Sequence, residues 1–263
     1  MTKRMRIFAG PNGSGKSSVI KAIRDTEVGK GKKLDFGIYI NADDLAEELY
    51  SNAVDFSNYN VLFNQNEFEI IIGESGLIGN QFPITRLLKC IEVCDNRLKI
   101  LKIIAQEKDD EPYERIAQIL ADYLRKKLLE GGAKFSFETV FSHSSKLEII
   151  RKAKEEGYKV YLYFISTEDP EINIHRVKKV RVIQNGHDVP KEKIISRYYR
   201  SMDLMYEAAQ LCYQAYFFDN SQEGIIHNLF GHFKLNARDQ KVWNMSEEAV
   251  PEWFKHYYSG KIA

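Results

Sequence analysis

Residues 5–20 read Met-Arg-Ile-Phe-Ala-Gly-Pro-Asn-Gly-Ser-Gly-Lys-Ser-Ser-Val-Ile, and no other stretch narrows the fold as far. Gly10 to Ser17 match G-x-x-x-x-G-K-S, a loop whose glycines let successive backbone N–H groups turn inward round an anion. A helix starting near Lys16 adds the positive end of its dipole. Lys16 is suited to the β- and γ-phosphates of ATP, and the Ser17 hydroxyl to the Mg²⁺ that accompanies them. The expected nucleotide site is therefore Gly10, Pro11, Asn12, Gly13, Ser14, Gly15, Lys16, Ser17 and Ser18. A chance match in a Gly-rich turn is the plainer reading, and context argues against it. Ile7, Phe8 and Ala9 make an apolar strand before the loop, while Val19, Ile20 and Ile23 give one face of a helix after it.

A chain of 263 residues with 44% hydrophobic content can bury a large core as one α/β domain with an insertion, or as two small domains. Lys plus Arg number 38 against 37 Asp plus Glu, so no general attraction to nucleic acid or to an anionic membrane is expected. The first strand starts within a few residues of Met1, leaving no room for a leader peptide, and no apolar run approaches the ~20 residues of a membrane span. A cytoplasmic protein is expected. Three cysteines suit a reducing compartment rather than a disulfide framework. Cys90 and Cys94 fall in phase with Leu87, Leu88, Ile91, Leu98 and Leu101, which reads as the core side of a helix rather than a metal site.

Along the chain, Phe36–Ile40 reads as a second strand that ends in Asn41-Ala42-Asp43-Asp44. In an open parallel sheet ligands lie beyond the carboxyl ends of strands, so Asp43 and Asp44 are expected on the rim that carries the phosphate loop. Either could instead cap the helix that follows. Residues 51–105 read as an insertion, with a short strand at Glu69–Ile72 and a helix from about Ile84 to Gln106. A helix over 112–130, capped by Asp110 and ended by Gly131-Gly132, leads to a third strand at 134–138. A helix at 145–156, a strand at 158–165, a long helix at 190–213 and a strand at 215–219 complete the pattern. Such alternation implies an α/β P-loop NTPase fold: a parallel sheet with helices on both faces and a helical insertion. The kinase-like domain is expected over 1–222, with residues 223–263 as an extension packed on it.

Between the last two strands, Arg176, Lys178, Lys179 and Arg181 put four cations into six residues. A solvated helix face is the bland reading. Concentrating arginine there in a nearly neutral chain looks more like a lid over a transferring phosphoryl group. His187 reads as structural.

Several stretches together resemble the zeta-toxin-like P-loop kinases, above all the bacterial branch often labelled predicted ABC-type ATPases. They are Phe8 to Ser18, Asn41-Ala42-Asp43, Phe137-Glu138-Thr139, Gly186 to Pro190, Arg197 to Ser201 and Asp219-Asn220-Ser221. The resemblance implies a kinase that moves the γ-phosphoryl group of ATP to the 3′-hydroxyl of UDP-N-acetylglucosamine, with an antitoxin protein as partner. It implies that Asp43 is the catalytic carboxylate, that Lys16 serves the phosphates, and that Glu138, Thr139 and Arg176 lie on the substrate side. Arg181 and Arg197 are the preferred lid pair, although Arg176 and Arg181 are five apart and Asn185 stands where the branch has glycine. Val140 occupies the position of a sugar-contacting threonine in the toxins. A motor or transporter ATPase is the weaker alternative, since neither an L-S-G-G-Q signature nor a strand ending in Asp-Glu is present. A regulatory module without turnover is disfavoured by the intact Lys16, Ser17 and Asp43.

Overall fold

In a computed structural model of the chain, residues 2–27, 31–79, 82–101, 111–183, 189–222, 228–246 and 249–262 are described, the side chains of 111, 112 and 180–183 excepted. The elements begin with β1 (Arg4–Ala9), α1 (Lys16–Asp25), β2 (Ile38–Ile40), α2 (Ala42–Ser51), β3 (Val54–Asp55) and α3 (Gln65–Glu74). There follow α4 (Ile84–Cys90), β4 (Ile91–Cys94), β5 (Arg97–Ile100), α5 (Glu111–Glu130), β6 (Phe135–Thr139) and α6 (Ser145–Glu155). Then come β7 (Lys159–Ser166), α7 (Pro170–Ile183), α8 (Lys191–Leu211), β8 (Gln214–Asp219), β9 (Asn228–Leu235), β10 (Lys241–Met245) and α9 (Glu252–Tyr257). They fall into two units, Met1–Gly37 with Ser136–Ala263, and Ile38–Phe135.

In the first unit the strands run in the order β10-β9-β8-β7-β1-β6. β1 pairs parallel with β7, and β7 parallel with β8. Met5, Ile7 and Ala9 of β1 and Val160, Leu162 and Phe164 of β7 alternate onto one fully buried face. Helices α6 and α8 pack against β7, which accounts for its nearly continuous apolar run. The expected class, an α/β P-loop kinase-like fold built on a mostly parallel sheet with helices, is the one the chain adopts. Past β8 the direction reverses: β9 pairs antiparallel with β8, and β10 antiparallel with β9. Helix α9 then brings Trp253 and Phe254 against Phe230, and Phe254 and Tyr258 against Phe217, in one buried aromatic cluster. That cluster fixes the segment by apolar burial, the largest contribution open to aromatic side chains.

In the second unit α2 and α3 pack on α5, and β3-β5-β4 form a small antiparallel sheet. Phe56, Phe63, Phe68 and Tyr123 close its core. Two expectations are corrected here. Glu69–Ile72 is not a strand but part of α3, where Phe68, Ile71 and Ile72 are buried and Ile70 is exposed, the i, i+3, i+4 pattern of an amphipathic helix. The helix expected from 84 onward stops at Cys90 and gives way to the β4–β5 hairpin. Asp95 and Asn96 turn that hairpin with φ of 50° and 60°, the double left-handed pair of a type I′ turn. Cys90 is buried as expected, but Cys94 sits exposed on β4 rather than on a shared helix face. The helix over 112–130 holds as α5, and Gly132, at φ 66°, ends it. The Asp110 cap lies outside the described residues.

Candidate nucleotide site

The phosphate loop is shaped by contacts that leave no room for side chains. Gly10, Gly13 and Gly15 have φ of 147°, 74° and 88°. A Cβ on Gly10 would fall 1.9 Å from the Ile165 carbonyl oxygen at the end of β7. On Gly13 it would fall 2.6 Å from the Asn173 carbonyl oxygen, and on Gly15 2.1 Å from Asn220 Nδ2. Glycine is thus required twice over, by conformation and by close approach. Helix α1 opens at Gly15 without a capping side chain and without an acidic residue in its first turn, so its N–H groups face an anion undiluted.

Two asparagines hold the loop from outside. Asn173 on α7 donates from Nδ2 to the Asn12 carbonyl at 2.6 Å, and Asn220 after β8 donates from Nδ2 to the Ser14 carbonyl at 2.8 Å. Arg176 is half-buried and donates to the Asn220 carbonyl at 2.8 Å, tying α7 to the same loop. Ile174 and Val177 on α7 meet Ile194 on α8 in a buried cluster, so the inner face of α7 is seated by apolar packing. Lys178 and Lys179 are exposed.

Behind these groups lies a second layer. Thr167 Oγ1 bonds Asn173 Oδ1. The Tyr198 hydroxyl donates to the Thr167 carbonyl at 2.6 Å, and burial pushes that phenol up, which keeps it a donor. The Glu168 N–H donates to Ser221 Oγ at 2.8 Å, and Ser221 donates to Asp219 Oδ1 at 2.6 Å. The same Asp219 oxygen accepts from Trp253 Nε1 at 3.1 Å, while Glu168 Oε1 accepts from the Trp253 backbone N–H at 3.1 Å. Burial raises the Glu168 carboxyl above its ordinary value, with the Trp253 N–H pulling it back.

The residues fit a polyphosphate. Lys16 is buried, with Nζ 3.1 Å from the Gly10 carbonyl, 3.0 Å from the Pro11 carbonyl and 3.9 Å from Glu138 Oε1. Its charge is therefore held at the loop before any ligand arrives. Ser14 Oγ and Asn12 Oδ1 are buried without a hydrogen-bond partner among the described residues, polar atoms that a bound ligand or water can satisfy. The Ser17 and Ser18 side chains are exposed, which leaves the Ser17 hydroxyl open to Mg²⁺. Among the described residues no group of three or more His, Cys, Asp or Glu could hold a metal ion.

The other expected residues are distributed as follows. Glu138 and Thr139 end β6 half-buried, and Thr139 Oγ1 accepts from the Phe141 N–H at 3.3 Å. Phe141 itself is buried at φ 58°, an uncommon conformation for a bulky residue. Arg197 is half-buried on α8. The Arg181 side chain and residues 184–188, His187 included, lie outside the described residues. Asp43 and Asp44 belong to the second unit, both exposed in the first turn of α2. Neither is the N-cap: Asn41 takes that role, its Oδ1 accepting from the Asp43 N–H at 3.1 Å and its Nδ2 donating to Asp44 Oδ1 at 3.2 Å. Asn173, buried on α7, was not singled out from sequence.

Comparison with known proteins adds a separate line. A family model described as zeta toxin matches residues 105–228. That span excludes the phosphate loop, so the motif at 10–17 and the family match are read from different parts of the chain. No curated protein matches the sequence. The crystal structure of AvrRxo1-ORF1:-ORF2 with ATP superposes with a TM-score of 0.51 at 13% identity, over 97% of this chain and 63% of that one. The native AvrRxo1-ORF1:-ORF2 complex gives 0.52 at 14% identity, over 100% of this chain and 65% of that one. The PezAT chromosomal toxin-antitoxin system of Streptococcus pneumoniae gives 0.47 at 14% identity, over 98% and 79%. The chain thus spans less than two thirds of the length of the AvrRxo1 chains, and at such identities the likeness is one of fold. The resemblance to zeta-toxin-like P-loop kinases drawn from the motifs is borne out.

Proposed function

We propose that this zeta-toxin-like chain is an ATP-dependent kinase for a small hydroxyl-bearing acceptor, working in the cytoplasm. The observation that carries the reading is the Gly10–Lys16 cradle, with a buried lysine at its base and Glu138 beside it. A cradle of this kind supports a bound triphosphate, and Mg²⁺ at Ser17 would add charge neutralisation across the β- and γ-oxygens. In the transfer the acceptor oxygen bonds the γ-phosphorus, the bond to the bridging oxygen breaks, and ADP departs. Asp43 is the proposed base that receives the hydroxyl proton. Lys16 and the lid arginines Arg181 and Arg197 are proposed to offset charge on the moving group, with Glu138, Thr139 and Arg176 on the substrate side. A nucleotide sugar, UDP-N-acetylglucosamine first among them, is the acceptor that the family resemblance favours, and an antitoxin the partner.

The test is transfer from labelled ATP to a panel of nucleotide sugars, with hydrolysis in the absence of acceptor as control. Transfer to one member above hydrolysis is expected. Hydrolysis alone, with every acceptor inert, would make the chain an ATPase. Asp43→Asn is expected to keep ATP affinity and lose ~10²- to 10⁴-fold in transfer, as for a missing general base. Asp44→Asn should retain most activity. If Asp43→Asn transfers at the wild-type rate, that carboxylate is not the base.

A further inference from the structure

The phosphate loop is held in part by residues far along the chain, and they lead to α9. Asn220, which fixes the Ser14 carbonyl, stands between Asp219 and Ser221. Both of those neighbours are themselves held: Ser221 by the Glu168 N–H and by Asp219, and Asp219 by the indole N–H of Trp253. Trp253 also donates its backbone N–H to Glu168, closing a ring of hydrogen bonds round the turn that presents Asn220. Its ring is buried and packs edge-on against Phe230, and at a tilt against Phe164 on β7. The side chain thus does more than pack: its indole N–H has a carboxylate acceptor in Asp219, beside the one its backbone N–H finds in Glu168. A single oxygen, Asp219 Oδ1, receives both the serine hydroxyl and the indole, so losing the indole lets the carboxylate and Ser221 turn together.

We infer that Trp253 is a positioning residue for the nucleotide site: its indole N–H fixes Asp219, and through Ser221 and Asn220 sets the carbonyl of Ser14 and the opening of the phosphate cradle. Helix α9 thereby becomes part of the ATP site without touching ATP. This rests on the nucleotide-binding reading proposed above. Arg176 shares the device, since it donates to the carbonyl of the same Asn220. A shift of the turn therefore disturbs α7 and the cradle together.

Trp253→Phe in the full chain removes the N–H and keeps an aromatic ring. Phe254→Leu, one residue on, weakens the same aromatic cluster without touching that hydrogen bond and serves as the stability control. Three measurements decide: melting temperature, MgATP affinity by calorimetry, and hydrogen exchange at residues 10–16 without nucleotide. Trp253→Phe is expected to weaken MgATP about tenfold and to speed exchange at 10–16. Phe254→Leu is expected to lower the melting temperature at least as much with ATP affinity near wild type. Wild-type exchange and affinity in Trp253→Phe would overturn the inference, as would equal losses of affinity in both variants at equal melting temperature. Faster exchange in Trp253→Phe beside a wild-type chain that binds no ATP would uphold the positioning role and sink the nucleotide reading instead.

Discussion

At Gly13 the loop admits no methyl group, because the Asn173 carbonyl would lie 2.6 Å from a Cβ and φ is 74°. Gly31 offers a matched comparison: its φ is 73°, yet nothing among the described residues lies within 4 Å of the position a Cβ would take. Gly31→Ala should therefore cost only the left-handed conformation, about 1–2 kcal/mol of stability, and leave ATP affinity unchanged. Gly13→Ala should cost more and abolish measurable ATP binding, since the loop must move off α7 to admit the methyl. Titration calorimetry and thermal melts on the two variants give the comparison, and equal behaviour would remove the close approach from the account. Lys16→Ala separates charge from shape at the same loop. Its ammonium has partners at the Gly10 and Pro11 carbonyls and Glu138, so ATP binding and transfer should both be lost while the chain stays folded. Retained affinity in Lys16→Ala would take away the basis for the ATP site.

Among the elements, α2 shows how local chemistry separates two adjacent carboxylates. Asn41 caps the helix and is in turn bonded to Asp44, so Asn41→Ala should cost ~1 kcal/mol in a chemical melt, while Asp43→Asn should be nearly silent there. A stability loss from Asp43→Asn equal to that of Asn41→Ala would return the capping role to Asp43. The loop between β1 and α1 was legible because its glycines and Lys16 have a fixed spacing with one physical purpose. The parallel strands were legible because Tyr158–Ile165 and Ala215–Asp219 are apolar and β-prone apart from Lys159 and Asp219. Residues 65–100 misled for opposite reasons. Ile70, Ile71 and Ile72 look like a strand when read as a run, and only the burial of Phe68, Ile71 and Ile72 together shows the helix. The hairpin was hidden by leucines at helical spacing, although Asp95-Asn96 is a turn pair in plain sight. Asn173 stayed invisible as a site residue because its partner, the Asn12 carbonyl, lies 161 positions away.

For the whole molecule, 38 basic against 37 acidic residues predict a chain that a polyanion does not hold. It should elute from heparin below about 0.15 M salt, and retention with a steep salt dependence would reveal a basic surface and a nucleic-acid partner. The first unit is assembled from two separated stretches, residues 1–37 and 136–263, with the second unit between them. β1 is made early, but its neighbour β7 follows only after residue 158. Asn173 and Asn220 reach back across 161 and 206 positions to grip the loop. During synthesis, then, the Gly10–Lys16 segment leaves the ribosome as a flexible glycine-rich tether. The continuous stretch 38–135 can settle first, because its contacts are closer in sequence and its loop closures are shorter. The motif written nearest the start acquires its anion-binding shape only once residues beyond 220 have emerged, so nascent chains shorter than that carry the nucleotide signature without the means to bind one.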